Sequence, residues 1–322
     1  MHHVRAVAAT PTVTPADVIA AGARAAALAR TRADVRSVAD VLELLACEAE
    51  VVEAVRARIE MSSAMEVDRI AAWVLEDFAA GMPQDSWRVA GGNQRLPDAM
   101  ARRLGDAVHL GEPVRRIVHD EREVLVATDS GTEGFDAVVV ALPLAVVRDT
   151  GVIDIALPEW KRQVLARLLH GHAAKLHLPL RSAPGTSAVM SARGRFWTWT
   201  ALADEEHVAP VLNCFMGSES AIRAAGVADD PGRWVQATRT LRDDLDFDAA
   251  RSPTVTVWRT DPYARGAYSG PAPGVTANDY TLLQRPVGAI YFAGEYVERD
   301  TFGLMEGAIR SGERAADRVL EA

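Results

Sequence analysis

The sequence predicts a mixed α/β and α+β protein of two domains, and three observations support this prediction. Residues 290–319 have the pattern of a short apolar strand, a glycine turn and an amphipathic helix. Ala-rich segments between residues 14 and 82 have the apolar spacing of helices. Alternating apolar residues over 174–180 predict a sheet with one buried face. An α/β ending combined with a separate sheet and helices favours two domains.

The composition is that of a globular protein. The chain has 322 residues, of which 49% are apolar and 25% charged. Its net charge of −9 argues against a nucleic-acid partner, because phosphate binding needs a basic face. No apolar run approaches transmembrane length and no signal peptide is recognised, so a cytoplasmic protein is expected. The two cysteines, Cys47 and Cys214, have neither metal-ligand spacing nor the density of a disulfide scaffold.

The N-terminal region is predicted to be helical. Thr14 is suited to cap a helix that begins at Pro15, because proline is favoured in a first turn. The predicted helices are 16–31, 37–60 and 63–81. The pattern by itself fits an inert helical bundle as well as a part of a substrate-binding domain.

The pattern changes after Gly91-Gly92. Up to residue 150 we predict a helix at 96–104 and strands at 107–110, 113–118, 123–128 and 135–141, the last of them fully buried. Further along we predict helices at 158–168, 217–225 and 232–244, with strands at 173–180, 186–190, 195–201 and 209–215.

Two motifs near the C-terminus resemble those of a known family. The letters FAGE at 292–295, followed by GLMEGAIRSGERAA at 303–316, resemble the C-terminal FAD motif of the flavin-dependent amine oxidases, the monoamine oxidase and L-amino-acid oxidase superfamily. The resemblance implies the two-domain FAD-dependent amine-oxidase fold, with an FAD/NAD(P)-binding domain and a substrate domain. Glycine turns and helix N-termini suit such a cofactor, because free backbone N–H groups point at it.

The same resemblance implies the residues that hold FAD. In this region the implied contacts are turn and helix-start positions: Gly294, Glu295, Gly303, Leu304 and Met305. The backbone of Val114 matches the position that meets the adenine. Ala267 stands where some members carry a cysteine bonded to the flavin, so FAD is expected to be noncovalent.

Three further positions match family residues that lie near the flavin. Lys175 resembles the lysine that holds a water at flavin N5 and so favours electron transfer to oxygen; the alternative is an edge-strand lysine that points to solvent. Trp258 matches a tryptophan beside the flavin, and Tyr268 matches one wall of an aromatic substrate cage. Core packing is the alternative for both aromatic residues. Leu304 replaces the second cage tyrosine of monoamine oxidases, which leaves the substrate open.

The family's first nucleotide-binding unit has no counterpart in the sequence. Members begin with a strand, a G-x-G-x-x-G turn and a helix, and the chain has no such motif. We therefore expect a fold that lacks its first βαβ unit and a second polypeptide that supplies it, in a heteromer such as a dimer of heterodimers. A truncated or processed product, and the loss of FAD binding, are the alternatives.

Four segments follow from these assignments. They are a helical part of the substrate domain at 1–86, an FAD-binding segment at 87–150, the substrate-domain sheet and helices at 151–257 and a C-terminal FAD-binding segment at 258–322. The implied function is that of the large subunit of a split amine or L-amino-acid oxidase, with hydride transfer from the substrate α-carbon to flavin N5 and O2 as the reoxidant. The alternatives are a noncatalytic, flavin-free subunit and a desaturase of the same superfamily.

Overall fold

The chain folds into two compact units. A computed structural model describes residues 4–7, 13–78, 89–120, 122–203 and 207–322. The first unit comprises Met1–Val108 and His172–Trp258, and the second comprises His109–Gly171 and Arg259–Ala322. The crossings at Val108 and Gly171 fall later along the chain than the predicted boundaries at 86 and 150.

The described residues form helices and strands in a mixed order. The helices are α1 (Pro15–Thr31), α2 (Val38–Glu43), α3 (Ala49–Ser63), α4 (Leu75–Phe78), α5 (Arg95–Leu104), α6 (Leu144–Arg148), α7 (Glu159–Ala166), α8 (Glu219–Ala224), α9 (Pro231–Leu241), α10 (Ala277–Gln284) and α11 (Met305–Leu320). The strands are β1 (Val4–Val7), β2 (Val114–His119), β3 (Val124–Thr128), β4 (Thr132–Phe135), β5 (Val138–Val140), β6 (Asp154–Ile155), β7 (Leu168–His170), β8 (Ala173–Pro179), β9 (Ala188–Ser191), β10 (Phe196–Leu202), β11 (Val208–Gly217), β12 (Thr254–Val257), β13 (Ser269–Pro271) and β14 (Ile290–Phe292).

The first unit is built on a six-stranded sheet. The strand order is β1-β9-β10-β11-β8-β12, with β1 parallel to β9 and the other neighbours antiparallel. The predicted alternation is confirmed, because one face of β8 is fully buried through Ala174, Leu176 and Leu178, and Leu180 continues it just after the strand. Helices α8 and α9 cover this face with Ala221 and Trp234. The opposite face of β8 carries Lys175.

The helices of the first unit correct two sequence predictions. Helix α1 is confirmed, and Thr14 and Asp17 form a reciprocal capping box at its start. The predicted helix 37–60 is two helices, because α2 ends at Glu43. The predicted helix 63–81 is wrong over most of its described part: Ala64 adopts a left-handed conformation (φ +60°) that ends α3, and the chain is helical again only over Ala72–Val74 and in α4. The chain after it bonds to the start of α2, where Ile70 O accepts from Val38 N.

The second unit contains small sheets. Strands β4-β3-β2-β6 form one, β13-β7 a second, and β14 pairs with β5 in a two-stranded parallel sheet. Within the predicted strand 135–141 the chain forms β5 over Val138–Val140 only, and the predicted full burial is wrong, because Val139 is 39% exposed. The predicted strand 107–110 is also wrong, since the chain forms a 3₁₀ turn over Gly105–Ala107.

The described residues contain neither a membrane-spanning helix nor a cluster of metal ligands. No helix in this part of the chain is long and apolar enough to cross a membrane. No cluster of three or more His, Cys, Asp or Glu side chains there has the arrangement of a metal site.

Candidate functional site

The candidate residues of the first unit lie on the sheet face that carries Lys175. Strand β8 lies between β11 and β12, so Lys175 is in the interior of the sheet and the edge-strand alternative is wrong. Its cross-strand partners are Phe215 on β11 and Thr256 on β12, and Phe215 in turn pairs with Trp197 on β10. Directly opposed residues on one face have Cβ atoms about 5 Å apart. The register therefore places Lys175 next to Phe215, with Trp197 one strand further along the same row.

A second row of the same face is polar at its centre. His177 pairs with Asn213, and His177 Nδ1 lies 2.8 Å from Asn213 Oδ1. Trp199 pairs with Asn213 from the other side. All of these side chains are half-buried, in contrast to the fully buried face below them. Strands β8 to β12 contain no Asp, Glu or Arg, so Lys175 is the one formally charged side chain these strands contribute.

Trp258 lies next to this face along the chain. It follows β12 directly, two residues beyond the Thr256 that pairs with Lys175. Its side chain is half-buried. The structure thus places two of the three predicted catalytic residues, Lys175 and Trp258, at one end of adjacent strands, whereas Tyr268 belongs to the second unit.

The candidate residues of the second unit, described by itself, lie at the turn that follows β14. Glu295 accepts three hydrogen bonds there: from Ser269 N (3.0 Å) and Gly303 N (2.6 Å), and from Ser269 Oγ (2.7 Å). Burial raises the pKa of Glu295, and the bonds from Ser269 and Gly303 oppose that rise. An ionised carboxylate has about four acceptor positions, so three are occupied within the chain. The side chain of Glu295 connects two loops, and Ser269 is a partner that the sequence did not reveal.

The backbone conformation at position 294 requires a glycine. Its φ of +134° lies in the region that favours glycine, and an added Cβ would lie 2.8 Å from the Tyr296 ring. Its N–H donates to Ser311 Oγ at 2.8 Å, which ties the turn to α11. A larger residue at this position would distort the turn whether or not a cofactor is present.

Tyr268 lies against the same turn. Gly303 has φ +71°, and its added Cβ would meet Tyr268 Cβ at 3.3 Å. The peptide of Tyr268 is fixed because its carbonyl accepts from Gly171 N at 2.8 Å. Burial raises the pKa of the Tyr268 hydroxyl, so the phenol stays neutral at physiological pH. Its half-buried ring can form one wall of a substrate pocket.

The start of α11 has the properties expected of a cofactor contact. Leu304 occupies the N-cap position and provides no side-chain acceptor for the first-turn N–H groups. Leu304 is 53% exposed and Met305 45% exposed. A 16-residue helix with an uncapped N-terminus suits an electron-rich or anionic oxygen. The residues present therefore fit the flavin and phosphate oxygens of FAD. Val114, half-buried, opens β2 in the same unit.

Comparison with known proteins agrees with this architecture. The chain is 26% identical over 269 residues to the L-amino acid dehydrogenase of Synechocystis, an alignment that covers 77% of this chain and 54% of that protein. Cyclohexylamine oxidase from Brevibacterium oxydans superposes with a TM-score of 0.76 and 19% identity, covering 97% of this chain and 76% of that one. Putrescine oxidase bound to putrescine superposes with a TM-score of 0.77 and 20% identity, covering 97% and 77%.

These similarities confirm the predicted fold class. The chain spans 16% to 59% of the length of the curated relatives to which it is similar. The sequence model of the family of flavin-containing amine oxidoreductases matches residues 23–320 of this chain. Since that match covers nearly the whole chain, the protein belongs to the flavin-containing amine oxidoreductase family.

Proposed function

We propose that the protein oxidises an amine with noncovalent FAD, and that a dinucleotide-binding unit outside this chain completes the cofactor site. The observation that carries the proposal is the position of Lys175. This lysine occupies the interior of a sheet, on the half-buried face and between Phe215 and Thr256. An inert lysine is more often found on a solvated edge or surface.

FAD supplies the two-electron oxidation of a C–N bond when it is bound. The chain contributes the N-terminus of α11 and the turn at Gly294 as donors to the cofactor's oxygens, with Val114 toward the adenine. Glu295 holds the turn in shape through Ser269 and Gly303. Ala267 has no thiol, so a covalent thioether at this position is excluded, which supports noncovalent binding.

The Lys175 face favours an apolar amine that reacts in its neutral form. Trp197 and Phe215 provide aromatic surface beside Lys175. Strands β8 to β12 have no carboxylate to receive a second ammonium group and no arginine to receive a substrate carboxylate. A positive Lys175 disfavours binding of the protonated amine, and aromatic walls orient the neutral one. An alicyclic or aryl monoamine is therefore favoured over a diamine or an amino acid.

The second unit has the features of a sheet that another element completes. Strands β5 and β14 form a parallel pair with no further partner among the described residues. Parallel sheets are usually covered on both faces, yet Val139 of β5 is exposed. On α11, Met305 and Ile309 are one helical turn apart and are 45% and 42% exposed. A strand–turn–helix unit with G-x-G-x-x-G would pair with the open strand and cover this apolar surface.

Purification of the native complex through a tag on this chain tests the function. We expect flavin absorption that is lost on anaerobic addition of cyclohexylamine, and less readily with putrescine or L-leucine. Reoxidation in air should return the absorption and produce hydrogen peroxide. A complex without flavin would favour the noncatalytic alternative, and flavin that no amine reduces would favour a desaturase.

Expression of the chain alone tests the second unit. We expect aggregated or colourless protein, because the parallel pair and the apolar side of α11 remain uncovered. A soluble yellow monomer with one FAD per chain would show that no additional unit is needed.

A further inference from the structure

A second cavity lies in the first unit, on the sheet face opposite Lys175. It has a volume of about 510 Å³ and is formed by the turn between β9 and β10 together with helices α8 and α9. We call it the arginine pocket and define it by three rim residues, Arg193, Arg195 and Arg233, and three floor residues, Phe196, Met216 and Trp234. None of these residues belongs to the amine site proposed above, so the two sites are independent.

The floor of the arginine pocket is apolar and aromatic. Phe196 and Trp234 are 3% and 1% exposed, with ring centroids 6.2 Å apart and planes at 77°. Such an edge-to-face pair provides an extended aromatic surface. The indole N–H of Trp234 is enclosed and has no acceptor among the described residues. A buried N–H donor without an acceptor is uncommon. The partial positive charge of this N–H adds to the positive electrostatic potential at the floor of the pocket.

The rim is positively charged. Arg195 is held in a left-handed backbone conformation (φ +52°), and its Nη1 lies 2.8 Å from the buried Oε2 of Glu60. Its charge is therefore balanced within the protein. Arg193 and Arg233 are exposed and make no ion pair with any described residue. The rim thus retains two guanidinium groups that are free to receive an anion.

The two surfaces together define the chemistry of a ligand. Guanidinium groups bind carboxylates through paired N–H donors. A simple inorganic ion fits the pocket less well than a ligand with an apolar part, because a hydrated phosphate would make no apolar contact with Phe196 and Trp234. An amine would be repelled by the rim. We propose that the arginine pocket binds a small aromatic carboxylate, with the ring on the floor and the carboxylate between Arg193 and Arg233.

Methyl NMR of the full-length protein, in the complex in which it is stable, tests this proposal. The chain is labelled with 13C-methyl methionine, and Met216 is assigned with a Met216→Leu variant. The probes are benzoate, benzyl alcohol and inorganic phosphate. We expect benzoate to shift the Met216 signal at millimolar concentration and to leave Met305 unchanged. Benzyl alcohol and phosphate should each bind about tenfold more weakly, because each satisfies one surface alone.

Matched variants separate this site from other benzoate sites. Arg193→Gln/Arg233→Gln should weaken benzoate binding at Met216 about tenfold or more. Arg30→Gln/Arg251→Gln removes two exposed arginines elsewhere in the same unit and should change it less than about twofold. Ala224→Phe places a ring in the cavity from its exposed wall and should abolish the shift.

Three results would overturn the proposal. The first is a benzoate-induced shift at Met216 that the Arg193→Gln/Arg233→Gln variant retains. The second is equal affinity for benzyl alcohol or for phosphate. The third is the absence of any benzoate effect at Met216 while the wild-type protein is folded.

Discussion

Lys161 in the second unit and Lys175 in the first unit are the two lysines among the 35 basic side chains of the sequence. Lys161 is fully buried on α7. Its ammonium donates to three carbonyls at the end of α10, those of Leu282 (3.2 Å), Leu283 (2.6 Å) and Arg285 (2.8 Å). It also lies 3.8 Å from the centroid of the Phe292 ring. Lys175 is half-buried, and its cross-strand neighbours are Phe215 and Thr256. These neighbours do not form a set of carbonyl acceptors like the one around Lys161.

The difference supports different roles for the two lysines. Three donors on one compact ammonium match three carbonyls at a helix C-terminus, where the helix dipole also favours a positive charge. Lys161 therefore joins α7, α10 and β14 and is structural. The N–H donors of Lys175 are not occupied by such carbonyls among the described residues. They are therefore available to a water or a substrate. All other basic side chains counted in this sequence are arginines. The planar guanidinium of an arginine would not replace the compact ammonium group at either lysine position.

The largest effect that would distinguish the two lysines is the pH dependence of the free energy of unfolding. Burial lowers the pKa of Lys161 to about 7. The unfolded chain then binds more protons than the folded one between about pH 7 and 10, so the free energy of unfolding should rise with pH across that window. The rise is at most about 4 kcal/mol, at about 1.4 kcal/mol per pH unit, and the three carbonyl bonds reduce it. Urea denaturation of the complex containing wild type or Lys161→Met, from pH 6.5 to 9.5, measures the difference in slope.

Selective 15N-lysine labelling provides the control. The chain yields one side-chain signal for each of its two lysines, and that of Lys161 should titrate near pH 7. A Lys161 signal that does not titrate below about pH 9, together with parallel denaturation curves, would contradict the prediction.

The second effect concerns catalysis at Lys175. Lys175→Met keeps the apolar stem and removes the charge. In the FAD-containing complex, we expect reoxidation by oxygen to slow about a hundredfold, the scale of one preorganised electrostatic contact. Anaerobic flavin reduction should change less. Stopped-flow absorption measures both half-reactions, with Thr256→Val as the control on the same face. Unchanged reoxidation in Lys175→Met would make this lysine structural as well.

The third effect is on stability at constant pH. Lys161→Met should lower the free energy of unfolding by about 2 kcal/mol at pH 7, because it leaves buried carbonyls without donors. Lys175→Met should lower it by less than about 1 kcal/mol, since that side chain is half-buried. Chemical denaturation compares the two variants directly. Equal losses would remove the distinction between a structural and a functional lysine.

The smallest effect tests the turn at Glu295. Glu295→Gln retains one carbonyl oxygen where the carboxylate accepts three bonds, so at least one donor of Ser269 or Gly303 loses its acceptor. We expect a loss of about 1 kcal/mol in the free energy of unfolding. Glu306→Gln, on the exposed side of α11, is the control and should change it by less than about 0.5 kcal/mol. Equal changes in both variants would mean that the turn does not depend on the carboxylate.

Local patterns in the sequence determined much of this protein. The helix cap at Thr14 and the alternation along β8 involve residues close together in the chain, and both were predicted correctly; the reciprocal bond to Asp17 was found only in the structure. The FAGE motif predicted β14, its glycine turn and the helix that follows. The placement of Lys175 on a strand also came from its neighbours, because a strand's two faces alternate with a period of two.

Tertiary structure decided the features that join distant segments. Helix α7 has an ordinary amphipathic sequence, and Lys161 is buried because α10, more than a hundred residues later, directs its last carbonyls at it. The pairing of Glu295 with Ser269 and the segment after Ala64 that bonds to α2 arise in the same way. The arginine pocket likewise needs a hairpin and two helices together. Such contacts satisfy buried donors and acceptors across the fold, and no local period in the sequence encodes which distant group will supply the partner.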